Sequence, residues 1–162
     1  MVKSSVHFEF EVFDSIDQLD AADKDLLLSA RKVTEKAYAP YSDFLVGAVA
    51  KLSNGEMVSG TNQENASYPV GICAERVLLA SAAMLHPNVP VSTMAIAYHN
   101  LNGVSDKPVS PCGMCRQSLH EYEERTKQPM RLILSGMNGK VFIIEKAGLL
   151  LPLSFGNTDL KG

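Results

Sequence analysis

The alternation of hydrophobic and polar residues changes period along this chain, and each change predicts a structural element. In residues 6–12, apolar residues occupy every second position, which is the period of a half-buried strand. This segment could form an extra edge strand or an oligomer contact. A helix is predicted next, because residues 20–23 resemble a capping start and apolar residues recur at helical spacing through residues 26–37. Pro40 ends that helix.

Two Asn-Gly dipeptides predict β-hairpins, because each separates two short runs typical of strands. The four hairpin strands are predicted at residues 45–52, 57–61, 131–135 and 140–144. Helical spacing predicts helices over residues 73–85 and from Pro111 onward, with a short buried strand at residues 93–98 between them. The order α, β, β, α, β, α, β, β predicts one sheet with helices on its faces. Sites in such sheets tend to lie where strands give way to helix N-termini.

Composition and charge narrow the classes of protein. With 162 residues, 46% of them hydrophobic and 20% charged, the chain is long enough for one domain with a substantial core. The net charge of −3 provides no electrostatic footprint for nucleic acid or an anionic membrane surface. Because no apolar run is long enough to span a bilayer and residues 1–10 lack a signal-peptide core, we expect no membrane association. Three uncrosslinked cysteines fit a reducing, cytoplasmic location.

The three cysteines predict a metal site. Cys112 and Cys115 are spaced i, i+3, so a helix beginning at Pro111 would place both on one face of its first turn. A two-residue gap is also the commonest spacing of zinc ligands. Cys73 opens the preceding helix in the same manner, and backbone N–H groups at both helix starts favour the thiolate form that binds metal. The sequence therefore predicts two helix N-termini facing one ion.

The number of ligands distinguishes a structural zinc from a catalytic one. A structural site uses four protein ligands, whereas a catalytic site uses three and leaves the fourth position to water or substrate. A closed site here would need a histidine, most plausibly His99. None of the four histidines has a pairing spacing with a cysteine, which favours the open site; they are His7, His86, His99 and His120.

Glu75 strengthens the interpretation of an open, catalytic site. The sequence reads Cys73-Ala74-Glu75 followed by Pro111-Cys112-Gly113-Met114-Cys115, which matches the signature of zinc-dependent deaminases. In that signature the glutamate carries protons and is not a ligand. Alone, Glu75 would more often be a carboxylate favoured by the helix dipole. Beside an open zinc site, general acid–base catalysis is the better interpretation.

Longer stretches of the sequence resemble cytidine deaminases, specifically the small homotetrameric type that binds zinc through three cysteines. They run in family order over nearly the whole chain after Tyr38. The stretches are FLVGA at 44–48, GTNQENASYP at 60–69, CAER at 73–76, SPCGMCRQ at 110–117 and LLPLSFG at 150–156. The asparagine-glutamate stretch and the Leu-Leu-Pro tail resemble the branch of the family that acts on free nucleosides.

The resemblance implies a fold, a domain organisation and an activity. The fold would be a three-layer α/β/α sandwich, in which a single mixed five-stranded sheet carries helices on both faces. Residues 18–162 would form one catalytic domain, with residues 1–17 as an N-terminal extension. The activity would be the hydrolytic deamination of cytidine and deoxycytidine to uridine and deoxyuridine, with release of ammonia, in pyrimidine salvage. One zinc ion per chain and a homotetramer with active sites shared between subunits would complete the enzyme.

The resemblance also implies roles for individual residues. Cys73, Cys112 and Cys115 would bind the zinc, and Glu75 would be the proton shuttle. The remaining residues would contact the nucleoside: Phe44 the pyrimidine, Asn62 and Glu64 the ribose hydroxyls, the Ala74 N–H the ring carbonyl and the Ser110 C=O the amino group, while Tyr68 and Phe155 would enter the site of a neighbouring subunit. Taken singly, these residues could equally be core, a solvated strand end or a turn.

Arg76 is predicted to tune the metal. Three thiolates on one zinc leave the centre with a formal charge of −1, which makes it a weaker activator of water. Arg76 lies three residues after Cys73, so a helix can place its guanidinium on the ligand side, where N–H donation to sulfur would offset that charge. The alternative is a surface ion pair of little consequence for rate.

Three other functions remain open at this point. A deaminase of RNA or DNA would share the metal motif but should carry a basic groove, which the acidic composition does not suggest. A blasticidin-type deaminase would share the motif too, although Phe44 and the stretch from Asn62 to Glu64 favour a nucleoside. A zinc-stabilised binding protein without catalysis would not need Glu75 or an open fourth position.

Overall fold

The computed structural model describes residues 1–161, which form one mixed sheet between two layers of helices. The strands are β1 (Glu11–Phe13), β2 (Phe44–Leu52), β3 (Met57–Thr61), β4 (Val91–Asn100), β5 (Arg131–Ser135) and β6 (Val141–Ile144). The helices are α1 (Ala21–Val33), α2 (Ala74–Leu85), α3 (Gly113–Thr126) and α4 (Asn157–Lys161). Short 3₁₀ turns lie at Ile16–Gln18, Thr34–Lys36, Tyr68–Val70 and Ala147–Leu150. No helix among residues 1–161 has the length and apolar character needed to span a bilayer.

The strand order β1-β6-β5-β4-β2-β3 makes a mixed sheet, in which β4 and β5 run parallel and the other neighbours antiparallel. Side chains alternate between the two faces along each strand. One face packs on α1 through residues such as Val49, Ala95 and Ile133, and the other on α2 and α3 through Met94 and Leu132. The predicted three-layer α/β/α sandwich is therefore confirmed.

The sheet has six strands rather than the five expected, because part of the N-terminal segment joins it. The strand predicted over residues 6–12 is shorter and later: β1 pairs with β6, placing Val12 opposite Phe142. Phe10 precedes the strand but still packs on Phe142, with ring centroids 5.0 Å apart. Because β6 has only four residues, few positions of the N-terminal segment find a hydrogen-bonding partner.

Helix α1 begins as the capping pattern predicted. Asp20 is the N-cap, and its side-chain Oδ1 accepts a hydrogen bond from Asp23 N at 2.9 Å. Asp23 also forms a two-pronged ion pair with Arg131 of β5, with both N···O distances at 2.7 Å. This contact fastens the start of α1 to the strand beneath it.

A glycine determines how closely α2 approaches the sheet. A β-carbon at Gly60 of β3 would lie 2.5 Å from Ala74 O and 2.6 Å from Leu78 N, both on α2. Only a residue without a side chain allows this approach. Gly60 therefore sets the height of the first turn of α2 above the sheet, and this turn carries Glu75.

The buried carboxylate of Glu123 organises the chain after β6. Glu123, near the end of α3, accepts hydrogen bonds from Met130 N at 2.7 Å, Ala147 N at 3.1 Å and Gly148 N at 2.9 Å. Its residue is 5% exposed, so these backbone donors replace the water that it loses on burial. Glu123 thereby holds the 3₁₀ turn from which the C-terminal tail departs.

We predict that Glu123→Gln destabilises the fold by about 1–3 kcal/mol, because an amide group would direct N–H atoms at a site lined by N–H donors. Urea unfolding followed by circular dichroism measures this change. Glu124→Gln is the matched control, since the Glu124 side chain is partly exposed and its ion pair with Lys127 Nζ is long, at 4.0 Å. Equal midpoints for the two variants would contradict a structural role for Glu123.

Candidate functional site

The three cysteines meet where α2 and α3 begin. Cys73 and Cys112 are the N-cap residues of α2 and α3, and Cys115 lies in the first turn of α3. Their Sγ atoms lie within 4.8 Å of one another, with 3.8 Å between Cys73 and Cys112 and 3.6 Å between Cys112 and Cys115. A tetrahedral zinc with Zn–S bonds of about 2.3 Å places its sulfurs about 3.8 Å apart. Two of the three sulfur separations therefore match the spacing that a tetrahedral zinc requires.

No histidine belongs to this cluster within residues 1–161. His99, the expected fourth ligand of a closed site, instead lies in β4 opposite Leu45 of β2. Three protein ligands leave one position of a tetrahedron for water or substrate. The geometry thus favours the open site over the structural one.

One of the three thiols, that of Cys73, is poised to lose its proton. A hydrogen bond with Cys115 lowers the pKa of Cys73 to about 6 against the opposing effect of burial, and the positive charge of Arg76 lowers it further. The same hydrogen bond and burial raise the pKa of Cys115. One thiolate is therefore present at neutral pH, which is the form that captures a metal ion.

Glu75 is buried beside these sulfurs and does not face solvent as a capping carboxylate would. The residue is 5% exposed, and burial raises its pKa above the usual glutamate value. A carboxyl group in such surroundings holds a proton more readily than a solvated glutamate does, so it can act as an acid as well as a base. This is the property that general acid–base catalysis requires.

One cavity of about 390 Å³ brings together most of the predicted site residues. Its lining includes Phe44, Asn62, Glu64, Cys73, Glu75, Ser110 and Cys112. The volume lies within the range of pockets that enclose small molecules. These residues come from two strand ends and two helix starts, so the topology rather than local sequence assembles them.

The aromatic wall of the cavity includes a residue that the sequence analysis missed. Phe44, the first residue of β2, stacks on Tyr98 of β4 with ring centroids 4.8 Å apart and planes 10° apart. Tyr98 is itself buried. The stacking follows from the pairing of β2 with β4, in which Tyr98 lies opposite Val46, two residues from Phe44 on the same face of the sheet. This pairing cannot be read from the sequence alone.

Asn62 and Glu64 are held by hydrogen bonds to the chain around them. Asn62 Oδ1 accepts from Val46 N and Asn62 Nδ2 donates to Phe44 O, both at 2.8 Å. Glu64 accepts from Tyr41 N at 2.9 Å and from the Ser42 hydroxyl. The Ser42 bond is the main reason that the pKa of Glu64 is lowered. Both polar groups are thus fixed at the cavity wall.

Ala74 and Cys115 complete the site from the helices. Ala74 is buried and is the first residue of α2, so its N–H has no carbonyl partner within the helix. Cys115 is fully buried behind the other two cysteines. Neither residue lines the cavity, so the role of the Ala74 N–H toward the substrate stays a prediction.

Tyr68 and Phe155 lie outside the lining of this cavity. Tyr68 is 75% exposed and packs edge-on against Tyr41, with ring centroids 5.7 Å apart. Phe155 is 58% exposed, and its carbonyl accepts a hydrogen bond from Gln117 Nε2 at 2.9 Å. Within one chain, neither aromatic ring reaches the site.

The prediction for Arg76 needs a correction. Its Nη1 lies 4.0 Å from Met114 Sδ, and within residues 1–161 no hydrogen bond joins it to a cysteine sulfur. The side chain extends toward α3 into a groove also lined by Gln117 and Arg125. Only the charge of Arg76, which contributes to lowering the pKa of Cys73, then supports its predicted role in tuning the metal.

Arg116 is a further residue that the sequence analysis did not identify. Its Nε donates to Pro111 O at 2.8 Å and its Nη1 to Leu150 O at 3.0 Å. It thus joins the segment before Cys112 to the start of the C-terminal tail. Only its place in the SPCGMCRQ stretch signalled its importance.

Comparison with known families identifies this site. The profile of the cytidine and deoxycytidylate deaminase zinc-binding region matches residues 20–128, which include all three cysteines and Glu75. The chain belongs to this deaminase family. The resemblance drawn from the sequence motifs is therefore confirmed.

Relatives from several organisms support the assignment to the deaminase family. A cytidine deaminase of Sporosarcina psychrophila is 35% identical, with 84% of this chain and 93% of the relative covered. One of Halalkalibacterium halodurans is 38% identical over 84% of this chain and 96% of the relative. A blasticidin-S deaminase of Bacillus cereus is 32% identical over 75% and 86%.

A solved structure gives the same picture of the fold. The crystal structure of a cytidine deaminase from Burkholderia pseudomallei superposes with a TM-score of 0.70 at 38% identity. The match covers 81% of this chain and 97% of the other. The chain therefore shares the fold of this deaminase structure.

We predict that the purified protein contains about one zinc per chain, bound by three sulfurs, because the Sγ spacing fits a tetrahedral ion. Elemental analysis gives the stoichiometry, and X-ray absorption spectroscopy counts the sulfur ligands. Cys112→Ala should lose most of the metal, while Ser53→Ala, in an exposed turn, should keep it. A fourth protein ligand in the resting protein would contradict the open site.

Proposed function

We propose that this deaminase hydrolyses cytidine and deoxycytidine to uridine and deoxyuridine, releasing ammonia. The observation that carries the proposal is the burial of Glu75 in one cavity with two of the three zinc-binding thiols and with Phe44, Asn62 and Glu64. Acid–base chemistry and polar recognition groups thereby share an enclosed space. A role in pyrimidine salvage follows from these substrates.

Cys73, Cys112 and Cys115 would hold the zinc. When bound there, the metal supplies a Lewis acid that makes a water molecule a stronger nucleophile at neutral pH. Two of these thiols, those of Cys73 and Cys112, line the same cavity as Glu75. Exclusion of bulk solvent strengthens every electrostatic interaction in this space.

Glu75 carries the protons of the reaction. Its carboxylate accepts a proton from the attacking water, whose oxygen bonds to the ring carbon that bears the amino group. Glu75 returns that proton to the adjacent ring nitrogen, which allows the carbon to become tetrahedral. It then accepts the remaining proton of the hydroxyl and gives it to the amino group as the C–N bond breaks. Ammonia leaves, and the former water oxygen becomes the new ring carbonyl.

The other cavity residues would orient the nucleoside. Phe44, held against Tyr98, would pack on the pyrimidine ring. The unpaired N–H of Ala74 would donate to the ring carbonyl, and Ser110 C=O would accept from the amino group. Asn62 and Glu64 would contact the sugar hydroxyls. These contacts place the reacting carbon near Glu75, which is how a bound geometry lowers the barrier.

A second candidate substrate is blasticidin S, because one relative is a blasticidin-S deaminase. The fixed pair Asn62 and Glu64 at the cavity wall favours a hydroxylated sugar instead.

The net charge of −3 argues against a polynucleotide substrate. Three free thiols also fit a cytoplasmic enzyme.

The active sites are proposed to be shared within a homotetramer. Tyr68 and Phe155 expose aromatic surface away from their own cavity, and Met84 and Leu85 expose aliphatic surface at the end of α2. Exposed apolar surface of this kind marks sites of protein association. A neighbouring subunit that buries Tyr68 and Phe155 would place them at the mouth of its own cavity.

We predict that Glu75→Gln keeps zinc and fold but lowers kcat at least about a thousandfold, because it removes the proton carrier without touching a ligand. The loss of ultraviolet absorbance on adding cytidine measures turnover, with cytosine, CMP and blasticidin S assayed in parallel. Glu56→Gln, an exposed substitution in the β2–β3 turn, is the control. Activity within about tenfold of the parent would refute the role of Glu75.

For the assembly, we predict a homotetramer by light scattering and a higher KM in Phe155→Ala, because each tail would complete a neighbour's site. The unfolding midpoint should change little, since Phe155 is 58% exposed in its own chain. Met57→Ala, which truncates a comparably exposed residue on β3, should leave KM unchanged. A fully active monomer would overturn the shared-site proposal.

For Arg76, we predict that Arg76→Gln retains zinc but lowers kcat, because the thiolate cluster loses a nearby positive charge. KM should change much less than kcat. Arg125→Gln serves as the comparison, since Arg125 lines the same groove and lies over the Tyr122 ring instead. A kcat in Arg76→Gln equal to that of the parent would contradict a role of Arg76 in catalysis.

A further inference from the structure

We propose that Ser42 is a positioning residue for the sugar of the nucleoside. Its hydroxyl holds the Glu64 carboxylate so that one acceptor position stays available to a sugar hydroxyl. The inference rests on the proposed function and specifies how the same cavity would recognise its substrate.

A fixed turn presents Ser42 to Glu64. Asp43 has a backbone φ of +54°, which aspartate tolerates better than most residues, and its N–H donates to Ala39 O at 3.0 Å. Leu101 N donates to Asp43 O at 2.9 Å, and Asn102 Nδ2 donates to Asp43 Oδ2 at 3.0 Å. The loop after β4 therefore supports the turn. The turn in its place directs the N–H groups of Tyr41 and Ser42, and the Ser42 hydroxyl, at the Glu64 carboxylate.

The hydrogen bonds to the Glu64 carboxylate leave one of its acceptor positions free. Oε2 of Glu64 accepts from Tyr41 N at 2.9 Å and from Ser42 N at 3.3 Å, and Oε1 accepts from the Ser42 hydroxyl. An ionised carboxylate has about four acceptor positions. Three are filled by the turn, so about one remains, on Oε1. Within residues 1–161, Ser42 is the protein contact that orients this oxygen.

The Ser42 hydroxyl is itself oriented. Phe44 N donates to Ser42 Oγ at 3.1 Å, so the oxygen accepts from the first residue of β2 while its hydrogen points to Glu64. The group that would contact the sugar and the strand that carries the pyrimidine-packing ring are therefore joined through one hydroxyl. The turn keeps Glu64 ionised, as the lowered pKa of this carboxyl indicates.

Asn62 supplies the complementary group. Its Oδ1 and one Nδ2–H are bonded to β2, which leaves one amide N–H. A sugar hydroxyl can accept from that N–H and donate to Glu64 Oε1. A ligand without the hydroxyl would leave both groups unpaired, which is the situation that gives polar sites their selectivity.

The test compares cytidine with 2′,3′-dideoxycytidine, which lacks both ring hydroxyls of the sugar, in the zinc-loaded parent and in Ser42→Ala. We expect KM for cytidine to rise roughly tenfold in Ser42→Ala, the size expected for a hydrogen bond to a charged group, with kcat and zinc content kept. The dideoxy substrate should show no change. The preference for cytidine, as a ratio of kcat/KM values, should therefore fall roughly tenfold.

Ser42→Thr keeps a hydroxyl and should restore the parental preference, and Ser53→Ala is the control for an exposed serine. The pKa of Glu64, followed by carbon NMR of its carboxyl group, should rise in Ser42→Ala alone. Equal losses for both substrates would show a merely structural role and overturn the inference, as would an unchanged preference or an unchanged Glu64 pKa. A parent that deaminates no pyrimidine nucleoside would instead refute the proposed function.

Discussion

The convergence of two helix N-termini on three thiols is the constraint on which the site depends. Zinc ligands must lie within tenths of an ångström of their positions, yet they come from helices separated by a whole strand. Gly60 sets the height of α2 on β3, and Arg116 ties the segment before α3 to the tail. The sheet that lies under both helices supplies the common reference, so ligand spacing is a property of the packing and not of any one loop.

The same polar device appears twice in the molecule, with different outcomes. Glu123 and Glu64 each accept hydrogen bonds from backbone N–H groups of a neighbouring turn. Glu123 is buried and its carboxylate oxygens accept from backbone N–H groups, so it fixes the 3₁₀ turn after β6. Glu64 lies at the wall of a cavity and keeps an acceptor position, so it can recognise a ligand. Within residues 1–161, no buried side-chain nitrogen or oxygen lacks a partner.

Local signals in the sequence predicted most of the fold and the core of the site. The Asn-Gly hairpins and the cap at Asp20 depend on residues adjacent in sequence, and they appear as expected. The cluster of three cysteines was predicted from their positions at helix starts, and Glu75 was singled out by its match to the deaminase signature. Features that depend on tertiary register were missed: the stacking of Tyr98 on Phe44 and the turn that brings Ser42 to Glu64. Arg76 shows the same limit, since spacing places a residue on a helix face but does not fix the direction of a long side chain.

The sixth strand, β1, changes which backbone groups are exposed at one edge of the sheet. A sheet that ended at β6 would present an apolar edge whose free N–H and C=O groups could template pairing with another chain. β1 covers that edge with three residues, and one of them is the charged Glu11. The new edge is too short to offer a long row of free backbone groups. The N-terminal segment thus protects this side of the sheet against edge-to-edge aggregation at high concentration.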